Sequence, residues 1–284
     1  MTKIGCHVSI SKSVDLAFDR AKEKTCDVFQ VFVKNPRGWS AKILSEEEIN
    51  QFRSKKKSMG FFPIVAHISY LPNLASQNPE MYEKSIECMS LEIERCRILE
   101  IPYFVIHGGS HKGGTLEQGL ETYTKSVLKG LEVSKNKVSI LIENSSGGKN
   151  STTGSLESIG KIMDEVSDPS KLKLCFDTCH GFGSGYDLRD VNAIQKTKNI
   201  IEEHVGLTQL ALIHANDSLG ELDSRHDRHE HIGLGNIGEK GFRTMINDLE
   251  FKRIPWIIET PIDERRNDID NLSYLRSLKK QEEI

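Results

Sequence analysis

Seven short apolar runs of this 284-residue sequence each end in a side chain that can bind a proton or a metal: His7, His67, His107, Glu143, Asp177, His214 and Glu259. Two further groupings add donors. Asp177-Thr178-Cys179-His180 puts a second donor three residues past one such ending. Asp227-Arg228-His229-Glu230-His231 turns alternate residues to one side if the run is extended. The candidate set is His67, His107, Glu143, Asp177, His180, His214, Asp227, His229 and Glu259, five imidazoles and four carboxylates. That is more than one tetrahedral or octahedral ion uses. With three or four protein donors each and one shared carboxylate, the set suits two or three divalent ions. Mixed imidazole and carboxylate ligation suits zinc, with manganese or iron as alternatives at one or more sites. No cysteine is required, which points to a catalytic centre with open positions and away from a closed structural one.

A single histidine at a strand end is ordinarily a hydrogen-bonded packing residue. Several carboxylates gathered at one place are different, because buried charges need partners. No matching set of Lys or Arg stands at the same run ends, so metal is the simplest compensator. His7, His111, His226 and His231 are expected outside the direct ligand set, as supporting or structural residues. Charge points the same way. Four carboxylates carry four negative charges and three divalent ions six positive ones, so a chain of −3 would become +3 and present a cationic mouth to an anionic substrate.

Such residues, scattered along the chain, need elements that bring them together. Eight apolar, β-rich runs recur: Lys3–His7, Val28–Val33, Phe62–His67, Tyr103–His107, Val138–Glu143, Leu172–Asp177, Gln209–His214 and Pro255–Glu259. Nearly continuous apolar character is the mark of buried parallel strands. Helical spacing fills the gaps. Val14, Ala17, Phe18 and Ala21 share a face, as do Leu116, Leu120, Tyr123, Val127 and Leu131. Phe242, Met245, Ile246 and Leu249 predict a late helix, and Leu272, Leu275 and Leu278 a last one. Ser45 with Glu48 reads as a capping box and Gly60 as the stop of the same helix. Strand and helix alternate without a long linker, so residues 1–284 are expected to form one α/β domain, a single (β/α)8 TIM barrel. The competitor, a doubly wound sheet, would carry a glycine fingerprint after the first strand, and Gly5-Cys6-His7-Val8-Ser9 is not one. In a barrel the C-terminal strand ends open on one mouth, where active sites are built.

Composition excludes several classes. Hydrophobic residues make up 37% and charged residues 28%, which rules out a fibrous or disordered chain. No run approaches the ~20 apolar residues of a membrane span. Met1-Thr2-Lys3-Ile4 leads straight into a strand, so no signal peptide and a cytoplasmic location are expected. Nor is the balance of 38 basic and 41 acidic residues that of a generic nucleic-acid coat. The six cysteines form no CxxC pair and are expected to be reduced and mostly buried, Cys179 being a bystander beside the donors. Arg53-Ser54-Lys55-Lys56-Lys57 reads as a solvated helix face.

The motifs resemble those of the endonuclease IV family, zinc-dependent apurinic/apyrimidinic endonucleases of base excision repair. The matching stretches include Lys34-Asn35-Pro36-Arg37-Gly38-Trp39, His67-Ile68-Ser69-Tyr70-Leu71, His107-Gly108-Gly109-Ser110-His111 and Phe176-Asp177-Thr178-Cys179-His180-Gly181-Phe182. His214-Ala215-Asn216-Asp217-Ser218, Asp227-Arg228-His229-Glu230-His231-Ile232-Gly233, Gly235-Asn236-Ile237-Gly238 and Ile258-Glu259-Thr260-Pro261 continue them. Two stretches depart: Ser145-Ser146-Gly147-Gly148-Lys149 stands where the family more often has a Thr-Ala-Gly-Gln type run, and the loop around Gly38 lacks the larger polar residue some members carry. The resemblance implies three zinc ions. His67, His107 and Glu143 would bind the first. Glu143 would bridge to a second, shared with Asp177, His214 and Glu259, and His180, Asp227 and His229 would bind the third. It further implies an enzyme that cuts duplex DNA 5′ to abasic sites and clears blocked 3′ ends; nothing in the sequence suggests an obligate oligomer, so a monomer is expected. Glu143 and Glu259 would serve catalysis, and Arg37, Tyr70 and Leu71 would contact DNA. Trp39 reads as a packing anchor. Two other functions remain in view. A metal-dependent sugar isomerase or epimerase of the xylose-isomerase-like kind would use Glu143, Asp177, His214 and Glu259 but has no use for His180, Asp227 and His229. A non-catalytic binder of damaged DNA would bind an abasic duplex without cutting it.

Overall fold

The computed structural model describes residues 2–166 and 168–280. Eight parallel strands close into a barrel: β1 (Ile4–His7), β2 (Val28–Val31), β3 (Ile64–His67), β4 (Tyr103–His107), β5 (Ser139–Glu143), β6 (Leu172–Asp177), β7 (Leu210–His214) and β10 (Trp256–Ile258). Each neighbour follows in sequence order, and β10 pairs with β1 to complete the circle. The (β/α)8 TIM barrel expected from the sequence is therefore the observed fold. Between β7 and β10 lies a short antiparallel ribbon of β8 (Asp217–Ser218) and β9 (His229–Glu230), too brief to read from sequence.

The helices around the barrel are α1 (Leu16–Glu23), α2 (Glu46–Met59), α3 (Pro79–Leu99), α4 (Leu116–Ser134), α5 (Leu156–Asp164), α6 (Thr178–Gly183), α7 (Val191–His204), α8 (Gly238–Ile246) and α9 (Asp268–Ser277). Ser45 and Glu48 form the reciprocal capping box at the start of α2, and Gly60 ends that helix at φ 70°, a conformation glycine adopts at little cost. Two readings of extent are corrected. Leu249 lies beyond α8 and is exposed, because Asp248 turns the chain into a 3-10 segment by accepting from the Glu250 and Phe251 N–H groups. The second strand stops at Val31, short of Val33, whose carbonyl is taken by the Arg95 side chain at 2.6 Å.

Two apolar clusters divide the core. The larger lies between the barrel and its helices. The smaller takes one residue from each of seven strands: Val28, Val65, Val105, Leu141, Cys175, Leu212 and Ile257. These fill the barrel interior. Side chains two residues apart on a strand share a face. Moving two residues toward the C-terminal end of each strand therefore gives the next interior layer: Gln30, His67, His107, Glu143, Asp177, His214 and Glu259, with His7 from β1. The apolar plug thus carries a polar ring on top of it.

Candidate metal centre

The ring opens into a cleft of about 570 Å3 lined by His7, His67, His107, Glu143, His180, Asp227, His229 and Glu259 together with Phe32, Tyr70 and Ile262. Glu143 stands at the centre and is buried. Its Oε2 lies 3.3 Å from His67 Nε2 and 3.1 Å from His107 Nδ1, while its Oε1 lies 2.7 Å from His214 Nδ1. Glu259 Oε2 lies 3.5 Å from His214 Nδ1. On the far side, His180 Nε2 lies 3.1 Å from Asp227 Oδ1, and His229 Nε2 lies 3.6 Å from both Asp177 Oδ2 and Asp227 Oδ1.

Four of the five expected imidazoles are oriented by their other nitrogen. His67 Nδ1 faces the Ile68 carbonyl at 2.7 Å, His180 Nδ1 the Asn144 carbonyl at 2.9 Å, and His229 Nδ1 the Glu259 carbonyl at 3.1 Å. His214 Nε2 donates to Gln30 Oε1 at 2.8 Å. These four therefore turn their remaining nitrogen into the mouth, as ligating histidines do. The fifth, His107, has the most exposed side chain of the strand-end imidazoles, at 44%. Asp177 is held just as firmly. It caps α6 by accepting from the His180 N–H, and Asn216 Nδ2 donates to its Oδ2 at 2.7 Å.

Whether this arrangement fits metal can be tested on its own atoms. His229 Nε2 is buried without a hydrogen-bond partner among the described residues. The ion pairs of Glu143, Asp177 and Glu259 all go to imidazoles, with no Lys or Arg among them. Burial opposes ionisation of Glu143, yet His214 and His107 hold its carboxyl well below the usual range. Burial likewise opposes a charged His180, but Asp177, Asp227 and Glu143 push its pKa up to about 10. Carboxylates whose only ion-pair partners among the described residues are inward-facing imidazoles fit divalent cations. Ligating atoms of His67, His107 and Glu143 lie within 4.8 Å of one another, as do those of His180, Asp227 and His229. The expected second group divides differently: His214 and Glu259 gather with His67, whereas Asp177 gathers with Cys179 and His229. Burial pushes the Cys175 and Cys179 thiols up to about 12, which keeps them protonated and poor ligands. All six cysteines are free and buried.

The sequence reading missed Gln30. Its Nε2 donates to Glu259 Oε1 at 2.6 Å and faces His7 Nδ1 at 3.1 Å, while its Oε1 accepts from His214. One amide thereby orients two imidazoles and a carboxylate. Its signal in the sequence was a polar residue, with the parity of the other ring positions, inside an otherwise apolar strand. Of the expected supporting histidines, His7 lines the cleft and His231 is buried against Asp263 and Asn271. His111 faces the Gly114 carbonyl, and His226 is exposed.

Asp217 belongs to the motif His214-Ala215-Asn216-Asp217-Ser218. It is fully buried, and its carboxylate accepts from the backbone N–H groups of Ser218, Gly233, Gly235, Ile237 and Gly238. A Cβ on Gly235 would lie 2.6 Å from Asp217 Oδ1, so glycine is needed for this collar to close. The collar fastens the segment after β9, and β9 carries His229.

The expected DNA-contact residues sit beside the cleft. Tyr70 lines it and is 64% exposed, Arg37 is exposed on the loop after β2, and Leu71 is half-buried next to Tyr70. Trp39 is half-buried, with Lys84 Nζ 5.3 Å from its ring centre. Three of the four basic residues of the run on α2 are engaged within the chain: Arg53 donates to the Ile98 carbonyl, Lys55 pairs with Asp15 and Asp19, and Lys56 pairs with Glu100. Among the described residues no helix is long and apolar enough to cross a membrane.

Comparison with known proteins agrees with this geometry. A family model described as xylose isomerase-like TIM barrel matches residues 18–278. A relative from Methanoculleus marisnigri, named probable endonuclease 4, is 42% identical over 279 residues, covering 98% of this chain and 99% of its own. Among solved structures, endonuclease IV from Thermus thermophilus superimposes with a TM-score of 0.87 at 31% identity, covering 97% of this chain and 98% of that one. A D-tagatose 3-epimerase-like protein gives a TM-score of 0.72 at 20% identity, covering 98% of this chain and 97% of its own, a likeness of fold alone. With its barrel, its ring of donors and its full-length likeness to these relatives, the chain belongs to the endonuclease IV family of xylose isomerase-like TIM barrels.

Proposed function

We propose that this chain is a DNA-repair endonuclease that hydrolyses the phosphodiester 5′ to an abasic site in duplex DNA. The products would be a 3′-hydroxyl and a 5′-deoxyribose phosphate, and blocked 3′ ends would be cleared at the same centre. Three zinc ions would be held: one by His67, His107 and Glu143, one by Glu143, Asp177, His214 and Glu259, and one by His180, Asp227 and His229. When bound, the ions supply Lewis acidity, which activates a water near neutral pH and offsets charge on the phosphate and the leaving 3′ oxygen.

The residues divide the remaining work. A bridging role for Glu143 is supported by its two oxygens facing different imidazoles, Oε2 toward His67 and His107 and Oε1 toward His214. Glu259 has Oε1 fixed by Gln30, which leaves its other oxygen to orient the attacking water. Arg37, Tyr70 and Leu71 would enter the minor groove. An abasic nucleotide has lost its stacking, so turning it out costs less than flipping an intact one, and selectivity follows from that difference. DNA binds the chain as a monomer in this reading.

The observation that carries the reading is the separate grouping of His180, Asp227 and His229. A sugar isomerase or epimerase on the same barrel is favoured only by the shared fold and by the carboxylates and His214 at the strand ends. One assay separates them. A duplex with a single abasic site should be cut, cutting should stop with chelator, and zinc should restore it. Intact DNA under saturating zinc, with one or two ions per chain by elemental analysis, would refute the nuclease reading.

A further inference from the structure

The loops that carry Arg37 and Tyr70 follow neighbouring strands β2 and β3, and one face of α3 holds both. Lys84, Cys88, Glu92 and Arg95 recur at spacings of four, four and three residues, the stripe that one side of a helix presents. Lys84 covers the Trp39 ring. Arg95 closes the base of the first loop, its Nε donating to the Val33 carbonyl at 2.6 Å and its Nη1 to the Lys42 carbonyl at 2.8 Å. Glu92 grips the second loop, accepting from Ser69 N at 3.1 Å and Ser69 Oγ at 2.5 Å.

Glu92 also joins the loops to each other. Its Oε1 lies 3.4 Å from Lys34 Nζ, and the two side chains are 0% and 1% exposed. Lys34 in turn donates to the carbonyls of Asn35, at 3.3 Å, and Gly38, on either side of Arg37. A direct strut completes the link, Tyr70 N donating to the Pro36 carbonyl at 3.2 Å. A buried ion pair is a poor source of stability, because removing two charges from water offsets most of their attraction. What it supplies here is geometry: each charged end satisfies backbone groups of a different loop.

We propose that the buried Lys34–Glu92 pair is a positioning device for lesion recognition, locking the Arg37 and Tyr70 loops into one rigid probe. The proposal rests on reading those loops as DNA contacts. A probe ordered before binding avoids the cost of ordering it on the DNA. None of the nine expected metal donors bonds to Lys34 or Glu92, and Ser69, which Glu92 holds, lies two residues past His67, so zinc content is the readout that separates recognition from the metal centre.

The test uses the zinc-loaded full chain and matched duplexes with and without one abasic site. Glu92→Gln keeps the shape and removes the charge. It should raise Kd and KM for the abasic duplex about tenfold, the size of one lost charge-assisted hydrogen bond. Preference over the intact duplex should narrow by a similar factor, with kcat and zinc content unchanged. Lys34→Met/Glu92→Leu leaves no unpaired charge behind, so it should fold and show the same loss of preference. Arg37→Ala and Tyr70→Ala are the controls. If they bind abasic DNA as the parent does, the loop reading falls and the proposal with it. If they weaken binding while both pair variants keep the parent's KM and preference, the pair's role alone is overturned. A parallel fall in kcat, zinc content and melting temperature in both pair variants would make the pair merely structural and also overturn it.

Discussion

Two halves of the mouth are built by different means. His67, His107, Glu143, Asp177, His214 and Glu259 stand on or just past barrel strands, where the hydrogen-bonded ladders of neighbouring strands fix their backbones. His180, Asp227 and His229 come from the six-residue α6, the approach to β9 and β9 itself, outside the barrel ladder. Exposure varies within each half: the Asp177 and His214 side chains are 0% exposed and that of His107 44%, while that of His180 is 6% and that of Asp227 61%. The strand-borne half inherits its geometry from closure of the barrel. The loop-borne half depends on single side chains, Asp177 capping α6 and Asp217 collaring the segment after β9. The first should therefore be robust and the second separable.

The largest expected effect is chemical. Glu259→Gln should keep the fold and bind abasic duplex while losing nearly all cleavage, on the order of 10²–10⁴-fold. Cleavage at the parent rate in single-turnover assays would remove Glu259 from its role. His67→Ala comes next and tests the strand-borne half as a metal holder. It should lower zinc content and activity together, and unchanged zinc by elemental analysis would exclude His67 as a ligand. Gln30→Leu should be milder, weakening metal retention about 10–100-fold, as loss of an orienting partner commonly does. Nitrogen NMR of His214 should then show loss of the single tautomer that Gln30 imposes. A parent-like spectrum would mean that the ladder alone orients the ring.

The same contrast explains what was legible in the sequence. The eight strands could be read because parallel strands buried on both faces are apolar nearly throughout, and the strand-borne donors because they interrupt that pattern at its end. Gln30 escaped because it is uncharged and sits inside a run read as continuing to Val33. The interior parity that groups it with His67 and Glu143 is masked in the sequence by reading the run on to Val33, and the strands aligned around the barrel restore it. Asp217 escaped for the opposite reason. Its role is made by N–H groups of Gly233 to Gly238, brought back to it by a turn no local pattern announces. Which imidazole nitrogen faces the mouth was also beyond reach, since carbonyls from other segments set it.

The collar gives the smallest and most discriminating effect. Asp217→Asn preserves volume and one acceptor oxygen, but its amide NH2 would face backbone donors that need an acceptor. Some of the collar's five N–H partners would go unsatisfied, and the segment after β9 would loosen. The barrel ladders do not pass through that segment, so the strand-borne donors should keep their places. Chelator titration should then release one ion per chain about tenfold more readily than the parent does, with the others retained at parent affinity. Removing Asp217 acts through position alone, because its carboxylate is spent on backbone groups and does not reach the cleft lining. Equal weakening of all ions, or of none, would break the division between the two halves and place the loop-borne donors under the barrel's control after all.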